Sequence, residues 1–110
     1  MYKLFAVWTN PAPEDVEAFE RHYTEVHAPL AASIPGLRRM VLTRTADALG
    51  EEPSPLHRIT ELWFDDEQAL AAAAASPEGQ ATIADAAALV ERFGVELTST
   101  GGTAIEQPLG

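Results

Sequence analysis

The spacing of apolar and polar positions changes along the chain, and each change marks an element. Tyr2 to Trp8 is nearly continuous in apolar and aromatic residues and stops at Asn10-Pro11, as expected of a strand buried on both faces. Pro11, Pro13, Glu14 and Asp15 read as a helix start, with acids in the first turn where the helix dipole favours them. Val16, Phe19, Tyr23, Val26 and Leu30 then recur at helical spacing, with Glu17, Arg21, Thr24 and Glu25 on the other side. Phe19 and Val26 are expected in the core. Pro29 has no N–H to give the Glu25 carbonyl, and its ring crowds that carbonyl, so the helix should kink or restart there. Ile34-Pro35-Gly36 ends the segment.

Leu37 to Thr45 reads as a second strand. Residues 46–55 hold Gly50, Glu51, Glu52, Pro53 and Pro55 and read as a loop, longer than a tight hairpin needs and expected to be mobile and to gate a pocket. His57 to Phe64 reads as a third strand, followed by a helix opened by Asp65-Asp66 and running through Ala75. Ser76-Pro77-Glu78 is a fresh N-cap with proline at the first helical position. Ile83, Ala86, Ala87 and Val90 supply that helix's apolar face, Phe93-Gly94 closes it, and Val95 to Thr98 reads as a fourth strand. Residues 1–110 then form one domain with a core of about residues 2–99 and a tail over 100–110. The order β-α-β-β-α-β predicts an α+β, ferredoxin-like fold with a four-stranded antiparallel sheet. Helices on one side leave the other sheet face bare. Because both strand parities are apolar (Phe5 and Val7 against Leu4, Ala6 and Trp8), a second copy packed through the sheet faces is expected to cover it.

Composition narrows the partners. Apolar residues make up 46%, too many for a disordered chain. Acidic residues outnumber basic ones 17 to 7, for a net charge of −10, which disfavours nucleic acid and anionic membranes. The absence of cysteine removes disulfides, thiolate nucleophiles and zinc–thiolate or iron–sulfur sites. No signal peptide and no membrane span is read, so the expected location is cytoplasmic.

Several segments together carry a family resemblance. Tyr23-Thr24-Glu25-Val26-His27-Ala28-Pro29-Leu30 is similar to the EthD pattern of a helical tyrosine followed by His-x-Pro-Leu. Ile34-Pro35-Gly36-Leu37-Arg38-Arg39, Glu61-Leu62-Trp63-Phe64-Asp65 and Ser76-Pro77-Glu78-Gly79-Gln80-Ala81 follow in the family's order, so the chain resembles that family from about Leu4 to Val95. The resemblance implies a dimeric α/β barrel, a superfamily that includes muconolactone isomerases, quinol monooxygenases, polyketide cyclases and haem-degrading proteins. It also implies a role in ether degradation beside a cytochrome P450 monooxygenase partner. Relatives are often called reductases, but no Gly-x-Gly-x-x-Gly or other flavin or nicotinamide motif is present, and no cofactor is expected.

His27 is the candidate proton-transfer residue, because an imidazole titrating near neutrality exchanges protons without a cofactor. Tyr23, four residues earlier on the helix, is its candidate catalytic neighbour, positioning a ligand oxygen. Trp8, Phe5 and Trp63 are expected to wall a pocket for a small hydrophobic or aromatic molecule, with His57 as a weaker candidate sharing a face with Ile59 and Trp63. The plainer alternatives are a partly buried histidine bonded to a carbonyl and a tyrosine that only packs. His22 lies five residues before His27, about 140° around an α-helix, so no metal site is expected from the pair. Haem on His27 rests on superfamily analogy alone. Arg38 and Arg39 alternate in direction, so at most one reaches a given pocket. Two functions stay open. One is a cofactor-independent acid/base or oxidation-related enzyme for a small aromatic or polyketide-type compound. The other is a non-catalytic binding protein that supports a monooxygenase.

Overall fold

The computed structural model describes residues 1–47 and 53–110. Residues 48–52, half of the expected mobile loop, therefore lie outside the described residues. Strand β1 (Tyr2–Thr9) is central, flanked by β3 (Leu56–Phe64) and β4 (Leu97–Thr103), and β2 (Arg39–Arg44) pairs outside β3. The sheet order is β2-β3-β1-β4, all pairs antiparallel, which is the ferredoxin-like arrangement. The fourth strand starts at Leu97 and continues to Thr103, so residues expected in the tail belong to the sheet, where Thr100 pairs Phe5 and Gly102 pairs Lys3.

The first helical segment departs most from expectation. A 3₁₀ turn (Pro13–Asp15) leads into α1 (Val16–His22). A π-helical turn (Tyr23–His27) follows, and α2 (Ala28–Ala32) continues without a break. Pro29 removes one hydrogen bond and crowds the turn before it. The chain answers by widening that turn to i→i+5 bonding, and α geometry restarts at Ala28 with Pro29 in the first turn. The buried face consequently runs Phe19, Tyr23, His27, Ala28 and Ala31, while Val26, expected in the core, is 42% exposed.

The second half follows its caps. The Asp66 carboxylate accepts from the Ala69 N–H at 2.8 Å to start α3 (Glu67–Ala75). Ser76 Oγ accepts from the Gly79 N–H at 3.0 Å to start α4 (Pro77–Phe93), which Gly94 ends in the left-handed region at φ 64°. The helices cover one sheet face. Trp8, Phe19, Tyr23, Leu89, Phe93 and Val95 form one buried cluster, and Leu62, Phe64 and Ala73 form a second. The other face carries Lys3, Phe5 and Val7 of β1 beside Glu61, Ile59 and Trp63 of β3. None of its apolar side chains is fully buried. No described helix is long and apolar enough to cross a membrane.

Candidate functional site

A cavity of about 520 Å³ lies between the sheet and its helices. That is within the range of small-molecule sites, roughly 300–1,000 Å³. Most of the wall is aliphatic or alanine. The aromatic corner is made by Trp8 from β1 with Tyr23 and His27 from the π turn. The His27 ring stands edge-on to Trp8 at 5.4 Å and stacks near Tyr23 at 5.8 Å, interplanar angle 27°.

His27 is buried, and its Nδ1 lies 2.8 Å from Oδ2 of Asp85 on α4. A carboxylate there accepts the Nδ1 proton, which assigns the tautomer, and Nε2 makes no hydrogen bond to another described residue. Burial pushes the His27 pKa below 6.5, and the hydrogen bond and charge of Asp85 offset only part of that. His27 is therefore a neutral imidazole at neutral pH, and the residue lines the cavity. Asp85 also receives His22, whose Nε2 lies 2.9 Å from Oδ1. The 140° separation expected of the two histidines on an α-helix does not hold, because i→i+5 bonding brings residues five apart toward one side. Among the described residues there is no group of three or more side chains arranged to hold a metal.

The Tyr23 hydroxyl hydrogen-bonds Thr60 Oγ1 on β3, and both residues line the cavity. Burial raises the Tyr23 pKa, partly countered by Thr60 and by Arg58, whose guanidinium sits 5.0 Å over the ring. Tyr23 is thus a protonated phenol at neutral pH. The Trp8 indole N–H is buried without an acceptor among the described residues.

The remaining candidates lie elsewhere. Phe5 and Trp63 are on the uncovered sheet face and do not line the cavity, since Leu4, Ala6, Leu62 and Phe64 take the inward parity. His57 is also off the cavity wall and does not share the face of Ile59 and Trp63. The β1–β3 register slips where Trp8 pairs Arg58 and Thr9 pairs Leu56. His57 turns toward α1, edge-on to Phe19 at 5.2 Å, with Nε2 3.0 Å from Glu20. Arg58 bonds the same carboxylate at 2.6 Å. Burial alone would raise the Glu20 pKa, but Arg58 and His57 outweigh it and hold it below 4.5. His57 is a framework residue here. Ile83, expected on the packed face of α4, is 53% exposed at the cavity's edge.

The sequence reading missed Asp85 and Thr60. Asp85 had a signal: it is the lone acid in Ile83-Ala84-Asp85-Ala86-Ala87-Ala88, where an apolar stretch has no packing use for a carboxylate.

With this geometry in hand, comparison with known proteins adds ancestry. The model of the EthD domain matches residues 12–92. The chain belongs to the EthD family. An ethyl tert-butyl ether (EthD) family protein from Bacillus halodurans, known from a crystal structure, is 35% identical. It superposes with a TM-score of 0.82 over 96% of this EthD chain and 99% of its own. An uncharacterised 11.0 kDa protein from the thcB–thcC intergenic region of Rhodococcus erythropolis is 36% identical over 87 residues, 79% of this chain and 82% of the relative. SnoaB of Streptomyces nogalater, a cofactor-independent oxygenase, shares the EthD domain's fold at 20% identity. Its TM-score is 0.64, over 96% of this chain and 94% of its own.

Proposed function

We propose that this EthD protein binds a small apolar aromatic or polyketide-type molecule and moves a proton on it, with His27 as the base and no cofactor. The observation that carries the reading is His27 itself: Nδ1 held by Asp85, Nε2 unpartnered, and the ring at the wall of an apolar cavity. Nε2 takes a proton from a carbon next to a carbonyl. The C–H bond breaks, an N–H bond forms, and the electron pair moves onto the carbonyl oxygen as an enolate. The imidazolium so formed is stabilised by the Asp85 carboxylate and returns its proton to the same or a neighbouring atom. Tyr23, a neutral phenol beside His27, is placed to orient the ligand's oxygen. The fold shared with a cofactor-independent oxygenase supports the cofactor-free part of this reading by analogy.

The test is deuterium uptake from heavy water into β-tetralone, an aromatic ketone with an acidic C–H, followed by NMR. The protein should catalyse uptake beyond an equal concentration of free imidazole. His27→Gln should lower it by about 10²–10⁴-fold, the usual worth of a general base, while tetralone still binds. Binding without uptake by the unaltered protein would remove the catalytic reading. The protein would then be a carrier for a partner monooxygenase.

A further inference from the structure

We infer that the cavity accepts only uncharged molecules, and that Glu91 at its mouth is the residue that turns carboxylates and phosphate esters away. The argument starts from where the positive charges are. The chain has 7 basic side chains, and none of them lines the cavity. Lys3 pairs with Glu61 at 2.7 Å, and Arg39 lies over Trp63, both on the uncovered sheet face. Arg38 is bound to Asp65, Arg21 to Glu17, and Arg44 and Arg58 to Glu20. Arg92 lies over the Phe93 ring. Arg38 and Arg39, of which at most one was expected to reach a pocket, are thus both committed outside the site.

No other cationic side chain among the described residues takes their place in the wall. Apart from His27, the polar groups that the described lining residues carry are the hydroxyls of Tyr23, Thr60, Thr82 and Ser99, the buried, uncharged indole N–H of Trp8 and the carboxylate of Glu91. Thr82 already donates to the Glu78 carbonyl at 2.8 Å. Burial keeps His27 neutral, and Asp85 behind it already supplies one negative charge. Ile83, Ala87 and Glu91 recur every four residues along α4, so they form one stripe beside the opening. Both Ile83 and Glu91 are exposed. An anion would have to pass Glu91 and then lose its water in an apolar wall without a counter-charge, a burial that is costly unless the charge is paired. The net charge of −10 opposes its approach as well. A neutral ketone, phenol or ether meets neither obstacle. Proton abstraction from a neutral molecule creates a single anion beside a new imidazolium, whereas a carboxylate substrate would become a dianion there.

This inference rests on the ligand-binding half of the proposed function and not on proton transfer, so the two fail separately. Titration calorimetry at neutral pH would compare β-tetralone with tetralin carboxylate, which shares its ring skeleton but is ionised. The carboxylate should bind at least about a hundredfold more weakly, the scale of an uncompensated buried charge. In Glu91→Lys, an exposed position where the fold has no stake, the gap should narrow by about three- to tenfold, as expected for reversing one solvent-exposed charge. Glu91→Gln should fall between. Equal or tighter carboxylate binding by the unaltered protein would overturn the inference and make His27, protonated, the anion's partner. An unchanged gap in Glu91→Lys would overturn the role given to Glu91. If no member of the pair binds, ligand binding itself is wrong. Charge selectivity without deuterium uptake would leave this inference standing and sink only the catalysis.

Discussion

At the scale of single residues, the contact between Asp85 and His27 decides what the site can do. Asp85→Asn presents an amide that can hold His27 in the other tautomer, with the proton on Nε2. Deuterium uptake should then fall by up to about 10⁴-fold, as it does when a histidine base is locked in the wrong tautomer. The nitrogen shifts of ¹⁵N-labelled His27 should report the exchange of tautomers directly. Unchanged shifts would show that Asp85 does not set the ring. The depressed pKa also fixes a pH dependence. Because the proposed base is the neutral imidazole, uptake should reach half its plateau at a pH below 6.5, and a midpoint above 6.5 would contradict the burial argument. Stability follows the same sign. An unfolded chain takes up the histidine protons near 6.5, whereas folded His27 and His57 take them up only at lower pH. Between those values the unfolded state holds more protons, so acid favours it and stability falls as pH drops below about 6.5. Glu20, with its pKa held below 4.5, keeps its contribution above that value and loses it as pH falls further. Urea midpoints measured across this range should decline toward acid.

At the scale of elements, the capped helices and the strands were readable because their signals are local. Ser76-Pro77 and Asp66 start helices by satisfying backbone N–H groups within three residues, and alternation along β1 and β3 fixes which side chains face inward. The π turn was not readable, since its cause, Pro29, is equally compatible with a kink. That ambiguity put Val26 in the core, set His22 and His27 apart, and left Asp85 unnoticed. His57 failed for a related reason: one register slip defeats alternation. Pro29→Ala should restore the missing N–H and draw the turn toward α geometry. The His27 nitrogen shifts should move while the melting temperature holds or rises, and unchanged shifts would mean that packing alone maintains the turn. The α3–α4 junction gives a second test. A Cβ on Gly79 would sit 2.1 Å from the Ala73 carbonyl oxygen, which is backbone and has little room to yield. Gly79→Ala should cost about 1–3 kcal/mol in urea denaturation, typical of overpacking. A neutral substitution would show that the two helices can move apart.

At the scale of the whole molecule, the uncovered sheet face is the feature that calls for company. Phe5, Val7, Ile59 and Trp63 lie there half-buried, with Lys3 and Arg39 laid over the Trp63 ring at 4.3 and 4.8 Å. A second copy covering this face by two-fold symmetry is the simplest way to keep it from water. Sedimentation at micromolar concentration should show a dimer, and Trp63→Glu should yield monomer. A fully folded monomer of the unaltered protein would end the proposal. Each copy carries a net charge of −10, so association should tighten as salt screens the repulsion.

The π turn also bears on descent. An i→i+5 turn holds one residue more than the α turn it replaces. Loss of a single codon between Tyr23 and His27 would leave a continuous α-helix in which His27, Ala28 and Ala31 keep their mutual register and His22 lies four residues before the imidazole. A lineage could therefore gain or shed the wide turn in one mutational step and keep the helix on either side of it in register. Two relatives of near-identical shape can then differ by one residue, and the length of this one segment is where that difference would be written.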